Sequence, residues 1–146
     1  MLKILNQIKN IIVSPSEVEI TNVRIGSGCF GDVYKAIYVG KEIVVKQLKD
    51  KKNENSFFEE AELALKVPHP HIIQCYGYTE KNGFLFLLFE YATLGSLDTY
   101  LQKNKPPFNE LLDLSIQLTA AIVFLHSRDI IHRGLFAFIF IYYWKL

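Results

Sequence analysis

Through much of the first half of the chain, apolar and polar residues alternate with a period of two. Val33, Lys35, Ile37 and Val39 fall on one face of an extended segment, and Tyr34, Ala36 and Tyr38 on the other, as side chains do along a strand. The pattern over residues 18–48 predicts a three-strand meander, with turns at residues 26–31 and at Gly40-Lys41. A polar loop, 49–55, comes next. Ser56-x-x-Glu59 then reads as a capping box opening a helix that runs to about Lys66, where Pro68 and Pro70 end it. Two further strands are predicted at 72–79 and 84–89, joined by the hairpin signal Asn82-Gly83. After a break at Gly95-Ser96 come a short helix, 97–103, and a longer one, 109–127. The longer helix is apolar nearly all round, which predicts burial on most sides. Residues 1–13 pattern as a short amphipathic helix, stopped by Ser14-Pro15-Ser16. Antiparallel strands with segregated helices define an α+β class.

Composition narrows the picture. Half of the 146 residues are hydrophobic and 14% are aromatic, which excludes a disordered chain. The net charge of +1 gives no global field for nucleic acid or an anionic membrane, so no nucleic-acid partner is expected. The two cysteines, Cys29 and Cys75, have no metal-ligand spacing and read as a loop thiol and a packing thiol in a reducing, cytoplasmic setting. Residues 1–9 mix polar and apolar side chains too evenly for a secretory signal. The apolar run 134–144 has 11 residues, whereas a membrane span needs about 20; no membrane span is expected from it.

The candidate chemistry begins at Gly26-Ser27-Gly28-Cys29-Phe30-Gly31-Asp32-Val33, which fits G-x-G-x-x-G-x-V. Glycines let backbone N–H groups approach a phosphate closely. Taken alone the motif is also a tight hairpin. A dinucleotide-binding fold requires the glycines to end a strand and open a helix, but here they lie between two strand patterns. Fifteen residues beyond Gly31, Lys46 ends the apolar run Ile43-Val44-Val45, so its ammonium needs an anion, either phosphate or a carboxylate. In the following helix Glu60 and Glu62 lie on opposite rims of the apolar face formed by Phe57, Phe58, Ala61, Ala64 and Leu65. The helical wheel does not choose between them.

In combination and in this order, the sequence resembles the protein kinase family. The resemblance rests on the glycine loop, Lys46 in I-V-V-K, Phe58-Glu59-Glu60, His69-Pro70-His71-Ile72-Ile73, Phe89-Glu90-Tyr91-Ala92, Gly95-Ser96-Leu97, Leu125-His126-Ser127 and Ile130-Ile131-His132-Arg133. The flavour is that of tyrosine-kinase-like serine/threonine kinases. The resemblance implies a five-stranded antiparallel N-lobe with one helix over residues 18–91. It also implies a leader at 1–17, the first helices of an incomplete helical C-lobe at 92–133, and a non-matching apolar tail at 134–146. ATP would be the cofactor. Gly26, Ser27, Gly28 and Gly31 would cover its phosphates. Ile25 and Val33 would pack on the adenine, with Val44 beside it where the family usually has alanine. Lys46 would hold the α- and β-phosphates and pair with Glu60, which the family spacing to His69 selects over Glu62. Phe89 would be the gatekeeper, and the backbones of Glu90 and Ala92 would bind the adenine edge.

The catalytic loop departs from the family. Where kinases read H-R-D-L-x-x-x-N, this chain reads His132-Arg133-Gly134-Leu135-Phe136-Ala137-Phe138-Ile139. Gly134 stands at the proton-accepting aspartate, Phe136 where such loops usually carry lysine, and Ile139 at the metal-binding asparagine. The D-F-G site and later helices do not follow before Leu146. Mg, expected for the family, would therefore lack its ligands. The expectation is a kinase fragment with weak ATP binding and no turnover, and with an exposed, aggregation-prone apolar surface along helix 109–127 and the tail. The alternative is a pseudokinase-like module that pairs with another kinase or protein. Apart from Ala137 and Trp144, every residue of 135–146 has a codon built only from A and T. Glycine would arise where an intron beginning G-T interrupts an aspartate codon after its first base. The tail therefore reads either as translated intron or as a genuine truncated end.

Overall fold

The computed structural model describes residues 12–28 and 31–131. It contains strands β1 (Val18–Gly28), β2 (Gly31–Tyr38) and β3 (Lys41–Gln47), helix α1 (Glu54–Leu65), strands β4 (Cys75–Lys81) and β5 (Phe84–Glu90), and helices α2 (Leu97–Asn104) and α3 (Phe108–His126). The strands form one sheet in the order β1-β2-β3-β5-β4, antiparallel at every pairing. The expected α+β architecture is thus the observed one.

The alternation of side chains explains the sheet's two faces. Val18, Ala36, Ile43, Val45, Phe86 and Leu88 build a core on one face, joined by Val13. On the other, Leu48 and Leu87 pack with Phe57 and Ala61 of α1. The central strands β3 and β5 are covered on both faces, so consecutive residues Leu87 and Leu88 are both fully buried, as expected for a strand buried on its two sides.

Contacts divide the chain into two compact units. Gln74–Tyr91 joins the part that ends at Lys66, while Val67–Ile73 joins the part that begins at Ala92. In the second unit the His69 ring stacks on Phe124 of α3 with centroids 4.6 Å apart, Arg128 lies 3.8 Å from the same ring, and the Tyr100 hydroxyl of α2 donates to the Glu110 carboxylate of α3.

Several boundaries differ from the pattern-based reading, each for a local reason. Ile12 and Val13 are not helical: Ile12 forms a parallel bridge with Tyr78. The remaining residues of the predicted leader helix lie outside the described residues. The first hairpin pairs out to Gly28 and Gly31, so its turn is tighter than 26–31. The second turns at Val39-Gly40 rather than Gly40-Lys41, with φ of 49° and 74°; two adjacent positive φ values are what a type I′ hairpin requires. Ser56 sits inside α1 and caps nothing. The Asp50 carboxylate accepts the Lys52 N–H at 2.9 Å and its carbonyl accepts the Asn53 N–H at 2.9 Å, which starts the turn earlier. Ile72 and Ile73 are not strand, because the Ile72 N–H closes a turn onto the His69 carbonyl at 3.0 Å. Of the apolar residues of α3 only Ala121 and Leu125 are buried, so the helix is not covered on most sides. The tail 134–146 and Cys29 lie outside the described residues.

Candidate functional site

Lys46 lies on β3 opposite Val33 of β2 and Leu87 of β5, in the middle of the sheet. Its stem is therefore walled by apolar strands, and its ammonium can be satisfied only on the face that α1 covers. There Lys46 Nζ donates to both carboxylate oxygens of Glu60, at 2.6 and 2.7 Å. Glu62, on the other rim of α1, pairs instead with Lys66 one turn on. The side chains are 24% and 42% exposed, and a pair this wet contributes only about 0–1 kcal/mol. Its value is to fix where the ammonium sits.

The register places other strand candidates on this same face. Val33 pairs with Lys46 and Lys35 with Val44, and Val44 pairs with Phe89, so Val33, Val44, Lys46 and Phe89 all project from the α1 side. Ile25 falls in the irregularity between the Arg24 and Gly26 pairings of β1. The Glu90 N–H is taken by the Gln74 carbonyl at 2.9 Å, which leaves its carbonyl as what it can offer a ligand edge. Ala92 belongs to the second unit, where it is buried and its carbonyl accepts the Gly95 N–H at 3.1 Å.

The glycines of the loop are not equivalent. A Cβ on Gly31 would overlap the Gln47 carbonyl oxygen, so the fold itself demands glycine there. A Cβ on Gly26 would meet Val33 at an ordinary 3.8 Å. Nothing in the sheet forbids a side chain at Gly26, so its glycine is not demanded by the fold as that of Gly31 is. Beside the loop, Ser27 joins two polar residues that the sequence did not single out, Asp32 and Lys49. Lys49 Nζ reaches the Ser27 hydroxyl at 3.2 Å and the Asp32 carboxylate at 3.2 Å, with Arg24 3.8 Å from the same oxygen. A hydrogen bond from Ser27, helped by Lys49 and Arg24, holds the Asp32 carboxyl below its ordinary range. The only sequence signal for this group was an acid directly after Gly31 and a lysine three residues after Lys46.

Cys75 is buried, and burial pushes its thiol up to about 11, so it packs as an apolar group and is not a thiolate nucleophile at neutral pH. Among the described residues no group of three His, Cys, Asp or Glu side chains could hold a metal ion. Gly134 and Ile139 lie outside the described residues.

The sequence pattern of the family described as protein tyrosine and serine/threonine kinase matches residues 20–138. This chain belongs to the protein kinase family. Its sheet and α1 form a kinase N-lobe, and α2 and α3 begin the C-lobe. Similar proteins include the serine/threonine-protein kinase STY46 of Arabidopsis thaliana, 34% identical over 77% of this chain and 20% of that protein. The probable serine/threonine-protein kinase 2 of Plasmodium falciparum is 32% identical over 92% of this chain and 27% of its own length. The tyrosine-protein kinase Btk of Drosophila melanogaster is 33% identical over 78% and 15%. The chain thus spans about a quarter or less of these kinases. By length and composition α3 is apolar enough to cross a membrane, a point that the expectation of no span, drawn from the tail, did not weigh. The kinase match runs through α3.

Proposed function

We propose that the chain carries the nucleotide-binding part of a cytoplasmic serine/threonine-type kinase domain, binds ATP weakly on its sheet unit, and does not transfer the phosphoryl group. The observation that carries this reading is the Lys46–Glu60 pair at 2.6 Å, which sets an ammonium beside an apolar strand face, next to a strand pair that carries a glycine where the sheet does not demand one, Gly26. These residues fit ATP. Lys46 would hold the α- and β-phosphates, Gly26, Ser27, Gly28 and Gly31 would cover them, and Ile25, Val33 and Val44 would flank the adenine. The backbone of Glu90 would meet its edge next to Phe89. ATP, when bound, supplies the phosphoryl group.

The residues aligned with the rest of the machinery do not fit turnover. Phosphoryl transfer depends on positioning and charge neutralisation, and a positioned general base is worth roughly 10²–10⁴ in rate. Gly134 has no carboxylate to accept the substrate hydroxyl's proton, and Ile139 has no ligand atom for Mg. Titration of the 146-residue chain with a fluorescent ATP analogue, next to Lys46→Met, tests the binding half. Losing one charge-assisted contact weakens binding by about tenfold. Equal binding by the variant overturns this site, and phosphate incorporation into a mixed protein substrate overturns the absence of turnover.

A further inference from the structure

The Lys46–Glu60 pair is half-exposed and is too weak to hold α1 by itself. Something else must fix the helix. Among the strands, α1 lies chiefly against β4, and its contact there is aromatic. The Tyr78 ring meets Phe57 edge-on, centroids 6.2 Å apart and planes at 86°, and meets Phe58 at 5.3 Å and 74°. Edge-to-face pairs of this kind favour one orientation beyond the area they bury. Phe57 lies one helical turn before Glu60, so a tilt of the helix at Tyr78 moves the carboxylate.

Tyr78 is also the residue that the N-terminal segment grips. β4 is an edge strand, with an outer row of backbone groups that needs partners. Ile12 bridges to Tyr78 in parallel, and the Val13 N–H donates to the Tyr78 carbonyl at 2.8 Å. Val13 buries its side chain in the core on the face opposite α1. Lys81 Nζ fastens the segment again, donating to the Val18 carbonyl at 2.7 Å and to the Pro15 carbonyl at 3.4 Å. One strand residue therefore joins the segment ahead of β1, through its backbone, to the helix that carries Glu60, through its ring.

We propose that Tyr78 is a positioning residue for the Lys46–Glu60 pair, and that residues 12–13 act as a strap that holds Tyr78, and with it α1, in the paired position. Pulling the strap off β4 releases the helix and parts Lys46 from Glu60. The consequence for ATP rests on the function proposed above, but the coupling itself does not.

The experiment measures the acetylation rate of Lys46 by N-acetoxysuccinimide in the 146-residue chain, read by mass spectrometry without nucleotide. A chain that fails to bind ATP therefore leaves the result intact. Glu60→Gln sets the rate of a Lys46 that has lost the Glu60 carboxylate, and the exposed Lys41 is the internal reference. Val13→Gly and Tyr78→Leu are expected to raise Lys46 acetylation about two- to tenfold with Lys41 unchanged. Tyr78→Phe, which keeps the ring, is expected to retain the wild-type rate. Unchanged Lys46 labelling in both Val13→Gly and Tyr78→Leu overturns the proposal, and so does an equal rise at every lysine, which marks general loosening. A rise in Tyr78→Leu alone overturns the strap. Should Tyr78→Leu not fold, Val13→Ala decides: a selective rise supports the coupling and no rise overturns it.

Discussion

Strand β5 and helix α3 are both rich in large apolar residues, and they meet opposite fates. In β5 the neighbours Leu87 and Leu88 point to opposite faces and both are fully buried, one under α1 and one in the core on the other face. In α3, Leu112, Ile116 and Val123 are 49%, 58% and 61% exposed. Apolar composition alone does not decide burial. What decides is whether folded neighbours reach both sides of the element. The sheet supplies its own neighbours through β3, β4 and α1, whereas among the described residues the Leu112–Ile116–Val123 side of α3 lacks them. Large exposed apolar faces in general mark association surfaces or aggregation liabilities.

The sharpest way to break that contrast is to truncate one side chain in each region. Leu88→Ala leaves a cavity between strands and is expected to cost about 2–5 kcal/mol. Ile116→Ala removes a side chain already in water and adds the best helix former, so its effect is expected within about 0.5 kcal/mol. Urea denaturation of the 146-residue chain checks both. A cost for Ile116→Ala near that of Leu88→Ala means the α3 face is covered in solution, by a second copy for instance, and the contrast fails.

A second test lies inside the sheet unit, where tight packing separates two glycines of one motif. Gly31→Ala drives a Cβ into the Gln47 carbonyl, and neither backbone can yield without disturbing the β2–β3 ladder. A loss of about 2 kcal/mol or more is expected. Gly26→Ala meets only Val33 at 3.8 Å, and its stability change is expected within about 0.5 kcal/mol, while nucleotide binding weakens because the backbone can no longer be approached. Thermal melts with and without the ATP analogue read both effects. If the two alanines destabilise equally, the distinction between a fold glycine and a ligand glycine is wrong.

Much of this was legible because it depends on local rules. Period-two patterning located β2, apolar runs marked β3 and β5, and Asn82-Gly83 located the β4–β5 hairpin. Helices α2 and α3 were read to within a residue at each end. What could not be read depended on distant partners. Val13 looked like part of an amphipathic leader, yet it is core because β4 is an edge that it can pair with. The helical wheel left Glu60 and Glu62 equivalent; the choice came from family spacing, and in the structure α1 turns Glu60 toward Lys46. The Lys49–Asp32–Ser27 group brings Lys49 to two residues of the glycine motif, as far as 22 positions away in sequence, and no pattern ties Lys49 to that motif. The burial expected of α3 assumed neighbours that a period cannot supply.

The smallest effect concerns how far the sheet's packing overrules local preference, something α3 has no means to do. Two hairpins of this sheet turn through two residues with positive φ. One uses Asn82 at 54° and Gly83 at 78°, the other Val39 at 49° and Gly40 at 74°. Asparagine and glycine suit that conformation, but a β-branched residue at positive φ is strained by roughly 1–2 kcal/mol. The register Tyr38–Lys41 through Asp32–Gln47, set by core residues Ala36, Ile43 and Val45, forces Val39 into the turn anyway. Val39 is exposed, so little packing is lost on replacing it. Val39→Asn is expected to stabilise the chain by about 0.5–1 kcal/mol, seen as a higher urea midpoint with an unchanged slope. Asn82→Val is expected to destabilise it by a similar amount. If Val39→Asn instead lowers the midpoint, Val39 has a partner in solution, and exposed apolar side chains on the sheet must be read as those on α3 are.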